Sequence, residues 1–378
     1  MKIVFTGGGT GGHFYPLVAV AQAINREVTE KKLVAPRLFY LASRAYDERA
    51  LFETNLKFRR VPAGKRRRYF SPLNFLDTIR TGWGIIVALA QLFLIYPDLI
   101  FSKGGYDSFP TLLAARWLKI PVFIHESDAK PGRVNLWSAK FAVRIALSYA
   151  EAASYFPAAA GARIAVTGNP IREELLLPIS VGAREFLKLE PAAPIILVIG
   201  GSQGAAAIND TLVDILPALL ERYQVVHQTG AANLAEVKQR VSVLLHGHPH
   251  AGRYRPFANL NSDALRMAGG GSSLAVTRAG SILFEMAAWG LPAIVVPIPE
   301  PISHDQHENA LTYARQGGAV VLEQNNLTPS ILLSEINRLF NQPNLLAAMA
   351  TQAKKFARPE AARLIAAEII KLALAHES

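Results

Sequence analysis

The chain has 378 residues and no cysteine, with 51% hydrophobic against 18% charged residues. That length exceeds one ordinary hydrophobic core and predicts two domains; the missing cysteine excludes a disulfide scaffold, a thiolate zinc site and a cysteine nucleophile. A net charge of +11 favours an anionic partner, whether nucleic acid, a phosphorylated substrate or an acidic lipid surface.

In chain order, residues 3–5 read as a short buried strand that runs straight into Gly7-Gly8-Gly9-Thr10-Gly11-Gly12. No apolar leader with a small-residue cleavage site precedes it, so a cytoplasmic chain is expected. A helix over 16–25 follows, with Leu17, Val20, Ala23 and Ile24 on one face. Residues 38–41, 99–101, 122–124 and 164–166 read as further parallel strands. Between them, Lys65-Arg66-Arg67-Arg68-Tyr69-Phe70 opens a basic-aromatic cluster that continues through Leu73, Phe75, Leu76, Ile79 and Trp83. The apolar run 84–96 falls short of the ~18 residues that span a bilayer and is expected to be a buried helix feeding the strand at 99–101. The rhythm restarts at 195–199, followed by Gly200-Gly201-Ser202-Gln203-Gly204, with strands expected at 225–227, 275–277, 293–296 and 319–322.

Two βα arrays, each opening on strand, glycine turn and helix, predict an α/β fold of two Rossmann-like doubly wound domains facing each other across a cleft. Expected bounds are 1–170, 171–355, and a last helix in 356–378 packing back on the first domain. Glycine turns after strands, at 7–12, 104–106 and 200–204, suit phosphate: glycine lets the backbone approach an anion, and the following helix offers free N–H groups. A dinucleotide site would need a carboxylate at the tip of the second strand, which ends Tyr40-Leu41-Ala42-Ser43-Arg44. No Gly-Lys-Ser/Thr closes any of these turns, which removes the Walker pattern.

The segments 7–16 (ending His13-Phe14-Tyr15-Pro16), Lys103-Gly104-Gly105-Tyr106, Ile124-His125-Glu126-Ser127-Asp128, Gly168-Asn169-Pro170-Ile171-Arg172 and Gly200-Gly201-Ser202-Gln203-Gly204-Ala205 recur in the order of one family. So do Arg278-Ala279-Gly280 leading to Glu285, Gly290-Leu291-Pro292-Ala293, and Asp305-Gln306-His307-Glu308-Asn309-Ala310. In these motifs the chain resembles the MurG family of UDP-N-acetylglucosamine transferases. The resemblance implies a GT-B fold and inverting transfer of GlcNAc from UDP-GlcNAc to the C4 hydroxyl of the muramyl sugar of lipid I, giving lipid II, with no metal or other cofactor. A membrane-bound polyprenyl-diphosphate acceptor implies a peripheral protein at the cytoplasmic face of the cell membrane. Docking on anionic lipid would then use Lys65, Arg66, Arg67 and Arg68 with their aromatic neighbours, and no nucleic-acid motif accompanies them.

The resemblance also distributes roles. His13 or Glu126 would take the acceptor proton, with Thr10, Gly11, Gly12, Gly104, Gly105 and Tyr106 around the substrates. Arg172 would grip the leaving diphosphate, and Ser202, Gln203 and Gly204 the donor phosphates. Arg278, Gly280, Ser281, Glu285, Gln306 and Asn309 would surround the donor, Glu285 at the ribose and Gln306 at the GlcNAc hydroxyls. The family usually shows His-Glu-Gln-Asn where this chain has His-Glu-Ser-Asp, so Asp128 offers acceptors only where an amide would also donate. A non-hydrolysing UDP-GlcNAc 2-epimerase, another GT-B transferase with a lipid acceptor, and a non-catalytic nucleotide-sugar sensor are the competing readings.

Overall fold

A computed structural model describes residues 1–65, 73–200, 205–299 and 306–377. The chain divides into two compact units, Met1–Glu173 with Arg358–Ser378, and Glu174–Ala357.

In the first unit the strands are β1 (Lys2–Thr6), β2 (Arg37–Ala42), β3 (Leu56–Arg60), β4 (Leu99–Ser102), β5 (Val122–Glu126), β6 (Arg144–Leu147) and β7 (Ile164–Val166). They form one parallel sheet in the order β3-β2-β1-β4-β5-β6-β7. Ile3 and Phe5 point to one face, where helices Gly11–Glu30 and Ala361–Glu377 supply Leu17, Ile24, Ile365 and Ile369. Val4 points to the other, with Ala88, Leu92 and Ile95 of helix Leu73–Ile95. A sheet covered on both faces explains why its central strands read as unbroken apolar runs.

The second unit repeats the plan with β8 (Ile195–Ile199), β9 (Gln224–Gln228), β10 (Tyr254–Phe257), β11 (Leu274–Thr277), β12 (Ala293–Val295) and β13 (Ala319–Val321). Their order is β10-β9-β8-β11-β12-β13, again parallel. In both sheets the chain reverses direction of winding beside its first strand, between β1 and β4 and between β8 and β11. Ligands of doubly wound sheets bind at the carboxyl ends of the strands flanking such a point.

Three strands went unread in the sequence. β3 and β10 lie at sheet edges, where charge and Pro256 are tolerated and mask the apolar signal. β6 is four residues long and begins with Arg144. The first helix is longer than expected, beginning at Gly11 with Pro16 inside it.

The expectation of a buried helix over 84–96 needs correction. Ala88, Leu92 and Ile95 are buried, but Ile86, Phe93 and Leu94 stand in solvent with Phe75, Leu76, Ile79 and Trp83. The helix is apolar on more than the one stripe that the sheet needs, so composition alone could not separate its faces. By length and composition its residues Phe75–Ile95 would also suffice to cross a membrane, although one face belongs to the core of the unit.

A buried polar chain crosses the second unit. His227 Nδ1 accepts from Tyr254 Oη (2.8 Å), its Nε2–H donates to Asn209 Oδ1 (3.0 Å), and Asn209 Nδ2 donates to the Thr229 carbonyl (3.0 Å). Burial pushes the His227 pKa down to about 3. Between pH 6.5 and 3 the unfolded chain therefore binds a proton that the folded chain refuses, and stability falls with pH by about 1.4 kcal/mol per unit from this group. His227→Gln is expected to flatten the acid limb of unfolding free energy measured by urea titration; an equally steep limb in the variant would contradict this origin.

Candidate functional site

Each unit carries a polar cluster at its own switch point. In the first, Thr6 ends β1 with its hydroxyl donating to the Leu41 carbonyl (2.9 Å), and Lys103 N continues the ladder to the Thr6 carbonyl (3.0 Å). The chain must then turn in the space between two strand ends. Gly7 takes φ +113°, and a Cβ there would lie 3.0 Å from both the Gly104 carbonyl oxygen and Lys103 Cβ. Only glycine combines that conformation with that approach.

Helix Gly11–Glu30 begins at once. Thr10 is its exposed N-cap residue and makes no side-chain cap, and the ladder starts with His13 N and Phe14 N donating to the Thr10 carbonyl. The amides of Gly11 and Gly12 thus precede the intrahelical bonds, as an anion site at a helix start requires. His13 is half-buried, with Nδ1 3.1 Å from where a Gly105 Cβ would be, so the glycine makes room for the imidazole. The Tyr106 ring abuts Gly9 in the same way. Arg172 stacks its guanidinium 4.1 Å from the centre of the Tyr15 ring, and Tyr15 Oη donates to Asp47 (3.2 Å). His13, Gly104, Gly105, Tyr106 and the turn 7–12 therefore come together, and Arg172 reaches helix Gly11–Glu30 at Tyr15.

Glu126 ends β5 and is buried. Oε1 accepts from Asp128 N (3.0 Å), while Oε2 accepts from Gly132 N (2.9 Å) and Asn135 Nδ2 (2.9 Å). Burial and the neighbouring Asp128 push its pKa up, against these three donors. Its carboxylate thus folds the loop 127–132 around itself, and Asp128 lies half-buried on that loop. His125, wholly buried, sits 3.0 Å by Nε2 from the Gly168 carbonyl, and burial followed by the charge of Lys103 holds its pKa well below the usual histidine range.

In the second unit Gly200 follows β8 so tightly that a Cβ would lie 2.6 Å from Ala205 N and Cβ. Ser202, Gln203 and Gly204 lie outside the described residues, as do Arg66, Arg67 and Arg68. Across the switch point, Thr277 donates from Oγ1 to the Ile199 carbonyl (2.9 Å), repeating the Thr6 bond of the first unit. Arg278 turns back into the fold: Nη1 donates to the carbonyls of Val296 (3.0 Å) and Pro297 (3.3 Å), and Nη2 to Gln324 Oε1 (2.7 Å). Burial lowers its pKa to about 10. Asn309, buried, donates from Nδ2 to the Ala279 carbonyl (3.1 Å). Gln306 accepts from Ile298 N (3.3 Å), its amide 3.9 Å from where a Gly280 Cβ would stand. Ser281 and Glu285 are half-buried, Ser281 just before and Glu285 in the first turn of helix Ile282–Trp289. The turn 278–281 and helix Gln306–Arg315 thus meet through Gln306 and Asn309.

Sequence reasoning gave no role to Lys103, Asn135, Asn169 or Gln324, all of which join these clusters. Lys103 and Asn169 carried a signal, each lying inside a motif quoted above, Lys103 as a cation just after an apolar strand. Among the described residues no group of three or more His, Asp or Glu is placed to hold a metal ion.

Two parallel, doubly wound units with glycine turns at their switch points define a GT-B glycosyltransferase fold. The profile of the glycosyltransferase family 28 N-terminal domain matches residues 3–147 and that of its C-terminal domain residues 195–365. A Treponema denticola protein named UDP-N-acetylglucosamine–N-acetylmuramyl-(pentapeptide) pyrophosphoryl-undecaprenol N-acetylglucosamine transferase is 36% identical over 358 residues, covering 91% of this chain and 89% of its own. A protein of the same name from Desulforudis audaxviator is 33% identical over 99% of each chain. The chain belongs to this family, the MurG glycosyltransferases. The crystal structure of Acinetobacter baumannii MurG aligns with a TM-score of 0.69 at 24% identity, over 98% of this chain and 99% of that one. A UDP-GlcNAc 2-epimerase from Neisseria meningitidis bound to UDP-GlcNAc aligns at 0.65 and 15% identity over 98% and 100%, a likeness of fold alone.

The three donors on Glu126 generate a prediction. In Glu126→Gln one donor must face the amide NH2 instead of an oxygen, which is expected to cost about 1–3 kcal/mol. Urea unfolding together with faster amide exchange at Gly132 checks it; unchanged exchange there would mean that the carboxylate does not hold the loop.

Proposed function

We propose that this enzyme moves GlcNAc from UDP-GlcNAc to the C4 hydroxyl of the muramyl sugar of lipid I, giving lipid II, at the cytoplasmic face of the membrane. The observation that carries the reading is the pair of clusters at the two switch points, in a chain that matches named N-acetylglucosamine transferases along most of its length. The second unit takes the donor, its diphosphate on the turn after β8, its ribose at Glu285 and its GlcNAc at Gln306, with Asn309 beside it. The first unit takes the acceptor, its diphosphate on the free amides of Gly11 and Gly12.

Inverting transfer needs an oriented hydroxyl, a base and stabilisation of the departing UDP. Glu126 already accepts three N–H donors, so we assign the proton to the half-buried His13 and loop support to Glu126. Arg172 stands on Tyr15, two residues beyond His13, as the cation for leaving diphosphate. No step requires a metal or other cofactor. In an assay with UDP-GlcNAc and a short-chain lipid I analogue, label is expected in a disaccharide lipid. Conversion to UDP-ManNAc instead would establish the epimerase, and UDP binding without turnover the sensor. His13→Ala is expected to lower kcat by about 100-fold or more while UDP affinity stays unchanged; a wild-type rate would remove His13 as base.

The membrane reading rests on helix Leu73–Ile95. Phe75, Leu76, Ile79, Trp83 and Ile86 are exposed along it. Thr81 Oγ1 accepts from Gly64 N (3.1 Å), and a Cβ at Gly84 would overlap the Pro62 carbonyl oxygen, which seats the segment before exposed Lys65 against the helix. Each of Lys65, Arg66, Arg67 and Arg68 would contribute about 1 kcal/mol at an anionic surface. Replacing the four with Gln is expected to abolish salt-sensitive sedimentation with phosphatidylglycerol vesicles; undiminished sedimentation would exclude these cations as the anchor.

A further inference from the structure

The chain leaving β2, Ala42-Ser43-Arg44, places a cation where a dinucleotide enzyme needs a carboxylate. Thr6 of β1 pairs with Leu41 of β2, so Gly9 and Arg44 each lie three residues beyond the same rung of the sheet. The two segments meet there: Arg44 Nη2 donates to the Gly9 carbonyl (3.0 Å). From within the same strand, Tyr40 Oη donates to the Gly7 carbonyl (3.4 Å). The glycine turn is therefore fastened to β2 and its tip at two carbonyls.

The tip is itself held. Asp107, wholly buried, accepts Ser43 N through Oδ1 (3.1 Å) and Oδ2 (3.3 Å). A Cβ at Gly8 would lie 2.8 Å from Asp107 Oδ2 and 2.5 Å from Tyr40 Oη, so the turn packs on those same two side chains. Arg44 is thus placed by a fixed backbone while its side chain stays exposed. Among the described residues its guanidinium makes no ion pair; one N–H is engaged on Gly9, and the rest of the fork is open.

In doubly wound folds a carboxylate near this position reads the diol of a ribose, whereas an arginine accommodates a phosphoryl group. A planar, permanently charged fork matches phosphate oxygens two at a time, and one already anchored by a hydrogen bond loses less freedom on binding. The turn beside it suits a phosphate through its glycines alone. What Arg44 adds is a place for a second phosphate next to the first.

We propose that Arg44 is a specificity-determining residue of the acceptor half-site, the cation that takes the second phosphate of a diphosphate held on the turn 7–12 and so selects diphosphate over monophosphate lipids. That this diphosphate belongs to a polyprenyl-linked acceptor rests on the transferase reading above; the preference for two phosphates over one does not.

Calorimetric titration of the full chain with farnesyl diphosphate and with farnesyl monophosphate tests it, in saturating UDP so that the donor unit is filled. The wild type is expected to bind the diphosphate at least about tenfold more tightly, and Arg44→Met to bring the two lipids within about threefold of each other. Arg37→Met removes an exposed cation at the opposite end of β2 and is expected to keep the wild-type ratio, which separates Arg44 from a general effect of net charge. Equal weakening toward both lipids in Arg44→Met would reduce Arg44 to a fastener of the turn and overturn the proposal. An unchanged ratio, or a wild type that binds neither lipid or prefers neither, would overturn it as well. In kinetics with UDP-GlcNAc and a lipid I analogue, Arg44→Met is expected to raise the acceptor KM about tenfold with the donor KM within about twofold; an unchanged acceptor KM would count against the proposal. If the wild type transfers no GlcNAc, the transferase reading fails, while the two farnesyl titrations still decide Arg44.

Discussion

The approach of two parallel strand ends governs the rest of the first unit. β1 and β4 are neighbours in the sheet but not in sequence, and the chain leaving β1 must turn within the gap between them. At Gly7 that gap is tight, with the Gly104 carbonyl oxygen and Lys103 Cβ each 3.0 Å from where a Cβ would stand and a φ of +113° that disfavours any side chain. Everything polar at this edge follows from the turn. It starts helix Gly11–Glu30 before its first amides have partners, it sets His13 against Gly105, and it leaves Lys103 facing inward among the ends of β5 and β7.

The second unit solves the same problem with different side chains. Thr277 repeats the hydroxyl-to-carbonyl bond made by Thr6, and Gly200 closes on Ala205 more tightly than Gly7 does on Lys103. What differs is the treatment of charge. The first unit buries a cation and satisfies it with side chains from the end of β5, the residue after it and the segment beyond β7. In the second, Arg278 is anchored to two backbone carbonyls and a glutamine. Uncharged amides, Gln306 and Asn309, are left at the turn. On the proposed function, carbonyls and amides suit the unit that admits a charged nucleotide without competing charges of its own.

Helix Leu73–Ile95 shows how one element serves two surroundings. Its inner stripe, Ala88, Leu92 and Ile95, completes the core against the sheet, while Phe75, Ile79, Trp83 and Phe93 remain in solvent on the outside. An outer stripe of that kind is costly to expose to water and is accounted for if a lipid surface covers it.

The sequence by itself determined the class of fold, the two glycine-turn arrays and the family. Strand, glycine turn and helix are local features, and their order along the chain is enough to specify parallel winding. It also picked out His13, Glu126 and Arg172 as candidates, because each lies within a short motif. It missed β3 and β10, whose edge positions remove the need for apolar residues, and it buried the outer face of helix Leu73–Ile95 because apolar composition does not tell an exposed face from a core one. Only the tertiary structure decided what the polar residues do. Glu126 finds Gly132 and Asn135, Arg278 finds Val296 and Gln324, and Lys103 finds Asn169, 66 residues away. The reason is the range of the forces involved. Helix, strand and turn preferences act over a few residues, whereas a buried charge is settled by whichever donors and acceptors the fold brings within 3 Å of it.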